Sequence, residues 1–298
     1  SDSPSTGCAC MPASGVDQSL PQRAEIGELE LAWSELPCRG EVEEGPPLVL
    51  VHGFTGHRDD FIGVMPELAR GRRVIAPDLR GHGDSDSPAE ASAYSFDHLV
   101  RDLLGLLDHL GIERCDLLGH SMGGMVTLRF ALAHPERIRS LIFLCTGPEV
   151  PPSLDRAGFE KAAEIAAQRG MESLQEITEK RGRAQLSPIQ AAWGERLWMH
   201  RRRRFSSMTS TSYGALGAAL FASESLVHRL HDIEAPTLVL VGEADTDWLP
   251  GSEVLARHIP GARRVVLSAS EHHPHQENRE AWLDAIGSHL DRVRSEAP

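Results

Sequence analysis

Cys115-Asp-Leu-Leu-Gly119-His120-Ser121-Met122-Gly123-Gly124-Met125 carries an apolar run into a serine flanked by glycines, and a helical pattern begins at once. This is Gly-x-Ser-x-Gly at a strand-to-helix junction, the context in which the motif carries chemistry. A serine in so sharp a turn holds strained backbone angles, and glycine two residues to either side lets the chain pass without a Cβ clash. The turn pushes Oγ outward. Behind it, the helix N-terminus offers free N–H groups and the positive end of a dipole. Ser121 is the candidate nucleophile; a Gly-rich turn that merely contains serine is the plain alternative.

Working outward, Leu48–Val51 and Arg73–Ala76 are short, fully apolar runs of the kind buried on both faces of a parallel sheet. His52-Gly53-Phe54-Thr55-Gly56 follows the first and the Gly-rich loop Pro77–Asp86 the second. Ser95 reads as the N-cap of a helix through Leu110, with Phe96, Leu99, Leu103, Leu106, Leu107 and Leu110 on one face and Gly111 as its stop. Cys115–Leu118 and Arg139–Leu144 are further strands, with a helix Met122–Ala133 between them. Strands alternating with helices predict an α/β fold with a mostly parallel sheet. The alternation stops over residues 148–231, which read as helical segments Leu154–Arg169, Met171–Arg183 and Pro188–Arg204, then a Ser/Thr/Gly-rich piece. It resumes with strand Thr237–Val241, helix Ser252–His258, strand Arg263–Leu267 and helix Glu280–Val293.

The expected division is a flexible tail at 1–22, a core at 23–147, a helical cap at 148–231 and the rest of the core at 232–298. Ala24–Leu36 suggests one or two edge strands, and Glu41–Pro47 an acidic turn. At 298 residues there is ample chain for a core. The formal net charge of −13 argues against a nucleic-acid partner. No apolar run reaches membrane-spanning length, and the first residues lack the build of a signal peptide. The five cysteines match no zinc spacing, and Cys115 and Cys145 fall in apolar runs where a free thiol acts as a small hydrophobe. The expectation is a reduced, cytoplasmic protein.

With the strands in place, the chain resembles the α/β-hydrolase superfamily over roughly residues 24–295. The resemblance rests on His52-Gly53, the Arg-Gly-His-Gly-Asp-Ser-Asp loop at 80–86, Gly119–Gly124, Gly242-Glu-Ala-Asp245 and the His272 region. It implies the order serine, acid, histidine. His272 is the expected base, in Ser270-Glu-His-His-Pro-His-Gln-Glu-Asn278, with His273 as a rival and His275 as a structural contact. Glu271 stands where the family has Gly, and Arg279 where it has Pro. Asp245 is the expected acid, fixing the imidazole tautomer; Asp247 and Glu149 are lesser candidates. Backbone N–H groups of Phe54 and Met122 are the expected oxyanion hole, and their side chains either wall the acyl pocket or simply pack.

His52 and His120 read as scaffolds, and Arg80, His82, Asp84 and Ser85 as a self-bonded turn. Arg201–Arg204 form a solvated helix face or meet an anionic substrate. A metal on His272, His273 and His275 lacks an acidic ligand at suitable spacing, so neither metal nor cofactor is expected.

The insertion's position resembles that in lidded esterases, enol-lactonases and carbon–carbon bond hydrolases. The reaction so implied is hydrolysis of a small carboxylic ester or lactone through an acyl-enzyme, by a monomer or homodimer. Dehalogenase and epoxide hydrolase relatives are disfavoured because they carry aspartate where Ser121 stands. A carbon–carbon bond hydrolase, thioesterase, amidase or perhydrolase keeps the same machinery, and a ligand receptor on the same fold is the alternative from another class.

Overall fold

The structure, a computed structural model, describes residues 21–40 and 45–296. Eight strands make one sheet in the order β1-β2-β4-β3-β5-β6-β7-β8. They are β1 (Gln22–Ile26), β2 (Leu29–Leu36), β3 (Leu48–Val51), β4 (Val74–Pro77), β5 (Cys115–His120), β6 (Ile138–Leu144), β7 (Thr237–Gly242) and β8 (Arg263–Leu267). The β1–β2 hairpin lies antiparallel on β4, and every other pairing is parallel. The α/β reading holds. Most of the expected tail, like residues 41–44 of the acidic turn, lies outside the described residues, although Gln22 already belongs to β1.

Strands β3, β4, β5 and β7 are buried at every residue, which is why their sequences show no alternation. One polar residue breaks the run in β5. Asp116 is fully buried and accepts from Arg72 (3.0 Å), Arg139 Nε (2.8 Å) and Ser140 Oγ (2.6 Å). A buried carboxylate is tolerated only with such partners, and stripping one away typically costs about 3–5 kcal/mol.

Helix α1 (Met65–Leu68) follows β3, and α2 (Phe96–His109) is capped by Ser95 Oγ, which accepts from His98 N at 3.3 Å. Helix α3 (Met122–Ala133) leaves β5 directly and packs on it and on α2. Between β6 and β7 come only helices: α4 (Arg156–Gly182), α5 (Pro188–Ala192), α6 (Glu195–Ser206) and α7 (Ser210–Phe221), with a 3-10 segment at Val227–Asp232. Helix α4 packs against α6 and α7. Closing the chain, α8 (Leu249–His258) packs on β7, and α9 (Pro274–Glu277) leads into α10 (Arg279–Ser295), whose Trp282 and Ile286 are fully buried.

Of the inserted helices, one stretch breaks where the pattern predicts and another does not. Gly170, at φ 83° and ψ 164°, interrupts α4 where the pattern predicts two helices. The predicted helix Pro188–Arg204 is instead two, divided at Gly194, whose φ of 58° ends the helical path.

Opposite outcomes are expected for two Gly→Ala changes. At Gly170 the backbone lies in a region L residues avoid, so Gly170→Ala should cost about 1–3 kcal/mol although its Cβ meets open space. Gly287 lies inside α10 with nothing near its Cβ, so Gly287→Ala should stabilise by about 0.5–1 kcal/mol. Urea unfolding of the two variants measures both.

Candidate active site

Ser121 joins β5 to α3 with φ 54° and ψ −122°, a conformation L residues rarely hold. Strain of this kind costs on the order of 1–3 kcal/mol and persists only when the surroundings impose it. They do so here. Ser121 N–H donates to Leu144 O of β6 at 2.9 Å, and Thr146 Oγ1 donates to Ser121 O at 2.7 Å. A Cβ on Gly119 would lie 2.5 Å from Gly123 O and 2.6 Å from Gly124 Cα, and one on Gly123 would lie 2.5 Å from Val51 O. The glycines therefore let three stretches of backbone meet at the elbow. Among the described residues, Ser121 Oγ makes no hydrogen bond, as is common before substrate tightens a site.

Facing the elbow is the loop after β8. His272 Nδ1 lies 2.8 Å from Asp245 Oδ2, and Asp245 is buried just beyond β7. The Trp248 ring flanks His272 nearly parallel, at 6.3 Å between centroids. His273 points elsewhere, with its Nε2 accepting from Arg204 Nη1 at 3.1 Å. Burial first, then Arg204, holds the His273 imidazole well below its ordinary pKa. Glu149 is exposed, and Asp247 makes no contact with either histidine. His275 is packed among Phe61, His120 and Trp282, with its pKa lowered to about 3, chiefly by burial.

The two residues that depart from the family pattern both make contacts. Glu271 Oε2 accepts from Gln190 Nε2 of α5 at 2.8 Å, which ties the histidine loop to the insertion. Arg279 Nε donates to Gly63 O at 3.0 Å, and its guanidinium pairs with Glu67 of α1.

The scaffold histidines have assignable tautomers. His52 Nε2 accepts from Leu79 N–H at 3.0 Å, so Nδ1 carries the proton and donates to Gly53 O at 2.8 Å. His120 Nε2 donates to His272 O at 2.7 Å, which fixes the backbone beneath the imidazole. Burial lowers the pKa of both rings, so both stay neutral.

The 80–86 turn is bonded within itself through His82 Nδ1 to Arg80 O (3.2 Å), and also outward, through Arg80 to Asp102 of α2. The amide of Met122, at the first turn of α3, has no intrahelical acceptor. The amide of Phe54 makes no hydrogen bond among the described residues. Above Phe54 stand Tyr213 (5.2 Å between ring centroids) and Phe159 (6.0 Å), so its ring packs into an aromatic group built by α4 and α7. Met122 is buried in the core and lies in the interior packing.

Two functional neighbours carry no sequence signal. Thr146 looks like any residue after a strand. Cys145 reads as a small hydrophobe, yet it sits at φ 48° with Sγ donating to Glu271 O at 3.7 Å. Its sulfur, a carboxylate oxygen of Asp245 and a ring nitrogen of His272 lie within 4.8 Å of one another. Burial, then the Asp245 charge, pushes the thiol well up, which disfavours the thiolate a metal would need.

By residue type, His57, Asp60 and His200 would also suit a divalent cation, with ligand atoms within 4.8 Å. The tautomer opposes it. His57 Nδ1 accepts from Asp59 N–H at 3.1 Å, so the neutral ring carries its proton on Nε2 and offers a donor rather than a lone pair. Burial favours raising the Asp60 carboxyl, but Arg204, His200 and His57 outweigh it and hold the group well below the carboxylate range.

A mostly parallel sheet whose central strand ends in a strained serine elbow defines a broad class, the α/β hydrolases. The model of the alpha/beta hydrolase fold matches residues 46–279, and the chain belongs to that family. It is similar to the enol-lactonase from Burkholderia xenovorans LB400 (TM-score 0.79, 26% identity, 91% of this chain and 100% of that one). It is also similar to a thermophilic esterase from Thermogutta terrifontis (TM-score 0.78, 30% identity, 92% and 99% covered). The acetyltransferase component of the acetoin cleaving system of Pseudomonas putida is 44% identical over 135 residues, 44% of this chain but only 35% of that protein. Among the described residues no helix is long and apolar enough to cross a membrane.

Thr146→Val keeps the shape of the side chain and removes its donor to Ser121 O. Leaving that carbonyl without its partner should cost roughly 1–3 kcal/mol, read as a lower urea midpoint at unchanged m value.

Proposed function

We propose that the protein is a serine hydrolase of carboxylic esters or lactones. The observation that carries the reading is the 2.8 Å contact between His272 Nδ1 and Asp245 Oδ2, made beside a strained elbow that presents Ser121. Asp245 keeps the proton of His272 on Nδ1, which leaves Nε2 as the lone pair for the serine proton. Rotation about the Ser121 side chain brings Oγ to that nitrogen, and Oγ attacks the substrate carbonyl. The oxyanion is received by the Phe54 and Met122 amides. Protonated His272 then gives its proton to the leaving alkoxide. Water, deprotonated by the same imidazole, cleaves the acyl-enzyme and restores the serine. The substrate is a small molecule, and the enzyme a monomer or homodimer in the cytoplasm.

Helices α4–α7 act as a cap. The aromatic group of Phe54, Phe159, Tyr213, Phe205 and Phe221 supports an apolar acyl or ring portion of the substrate. The similarity to an enol-lactonase and an esterase supports the same reaction class.

The test is a p-nitrophenyl ester chain-length series alongside a lactone panel. Ser121→Ala should abolish turnover, and Asp245→Asn should lower kcat by roughly 10⁴ by favouring the wrong tautomer. A fluorophosphonate should label Ser121 alone. Absence of both turnover and labelling in the native protein refutes the proposal.

A further inference from the structure

Four consecutive arginines, Arg201–Arg204, end helix α6, and their surroundings differ sharply. Arg202 and Arg203 are outward, with side chains 45% and 53% exposed, and pair with Glu179 and Asp59. Arg201 lies over the Trp198 ring at 5.0 Å. Arg204 is only 11% exposed and crosses from the cap to the core. Its Nε donates to Thr55 O (3.0 Å), Nη2 to Phe54 O (3.3 Å) and Nη1 to His273 Nε2 (3.1 Å). Asp60 Oδ2, 3.9 Å from Nη2, supplies the countercharge, and His200 of the same helix reaches Asp60 Oδ1 at 2.9 Å.

Arg204 commits two of the three successive carbonyls after β3, and by fixing the Thr55–Gly56 peptide it aims the Gly56 N–H that holds the third. Gly53 O receives His52 Nδ1–H and Gly56 N–H, while Phe54 O and Thr55 O both receive Arg204. Gly53 C=O and Phe54 N–H share one peptide plane and point in opposite directions, so fixing that oxygen aims the amide. Holding the next two peptides fixes Thr55, which sits at φ 60° where a non-glycine residue is strained. The guanidinium also gathers the carbonyl dipoles to its own side. A Phe54 or Thr55 carbonyl turned toward the pocket would instead repel a developing oxyanion. Only a planar fork supplies these parallel donors.

We propose that Arg204 is a positioning residue through which the cap sets the oxyanion loop, holding Phe54 N–H in its working direction without touching substrate. The proposal rests on the serine-hydrolase reading, and two kinds of readout keep their failures apart. In Arg204→Ala, kcat for the best ester should fall on the order of 10- to 100-fold, with KM changed by less than about threefold. Added methylguanidinium should restore part of kcat. Arg204→Lys, which keeps the charge and loses the fork, should remain well below wild type, while Arg202→Ala should match it. Backbone hydrogen exchange at Gly56, whose amide donates to Gly53 O, should quicken on the order of tenfold in Arg204→Ala, with the 80–86 loop unchanged.

A loss confined to KM, full activity in Arg204→Lys, or failure of methylguanidinium to rescue a folded Arg204→Ala overturns the proposal. Unaltered exchange at Gly56 overturns it whatever the activity. If native protein neither turns over esters nor takes up the phosphonate, the serine-hydrolase reading is what fails. Should Arg204→Ala not fold, the kinetics and exchange of Arg204→Lys decide in the same way.

Discussion

Everything near the site follows from one strained residue. Ser121 cannot keep φ 54° on its own, and what keeps it there is the convergence of β5, α3, the turn after β3 and the end of β6. Each contributes backbone rather than a bulky side chain. The Leu144 carbonyl and the Thr146 hydroxyl hold the two ends of the serine peptide, and glycines remove the Cβ atoms that would push the strands apart. Strain of order 1–3 kcal/mol is small beside the packing that imposes it, so the elbow persists while the core is folded. The fully buried strands around it are the source of that rigidity.

The same close packing of backbone positions the histidine loop. Ser270 and Glu271 carbonyls press against Gly242, so the loop after β8 lies directly on the end of β7, where Asp245 begins. His120, the residue before Ser121, donates to the carbonyl of His272 and anchors its backbone. Neutral, buried His52 and His120 serve as hydrogen-bonding struts because each has one nitrogen committed as a donor and the burial that forbids a charge.

Much of this was legible in the sequence, and the unread part has physical reasons. Apolar runs of four to six residues marked the buried strands, and Gly-x-Ser-x-Gly marked the elbow, because both are local. Asp116 reads as part of an apolar strand, since its partners Arg72, Arg139 and Ser140 come from elsewhere in the chain. The pattern places Gly194 inside one helix and Gly170 between two, although both hold positive φ. The resemblance to the family pattern favours His272 over His273 but cannot show that Arg204 occupies the latter. The arginine run reads as a solvated face or a meeting point for an anionic substrate, because charge alone does not say which face of a helix is covered. Thr146 and Cys145 act through contacts with residues more than twenty positions away, for which no motif exists.

The bond from Arg204 to the carbonyls of Phe54 and Thr55 means that the insertion and the sheet are not separable modules. A chimera that exchanges α4–α7 for a foreign set of helices, hoping to import a new specificity, would retain Ser121, Asp245 and His272. It would also strip the loop after β3 of its external brace. Such a graft needs an inward-facing guanidinium at the matching turn of its third helix, or a core loop redesigned to stand unaided.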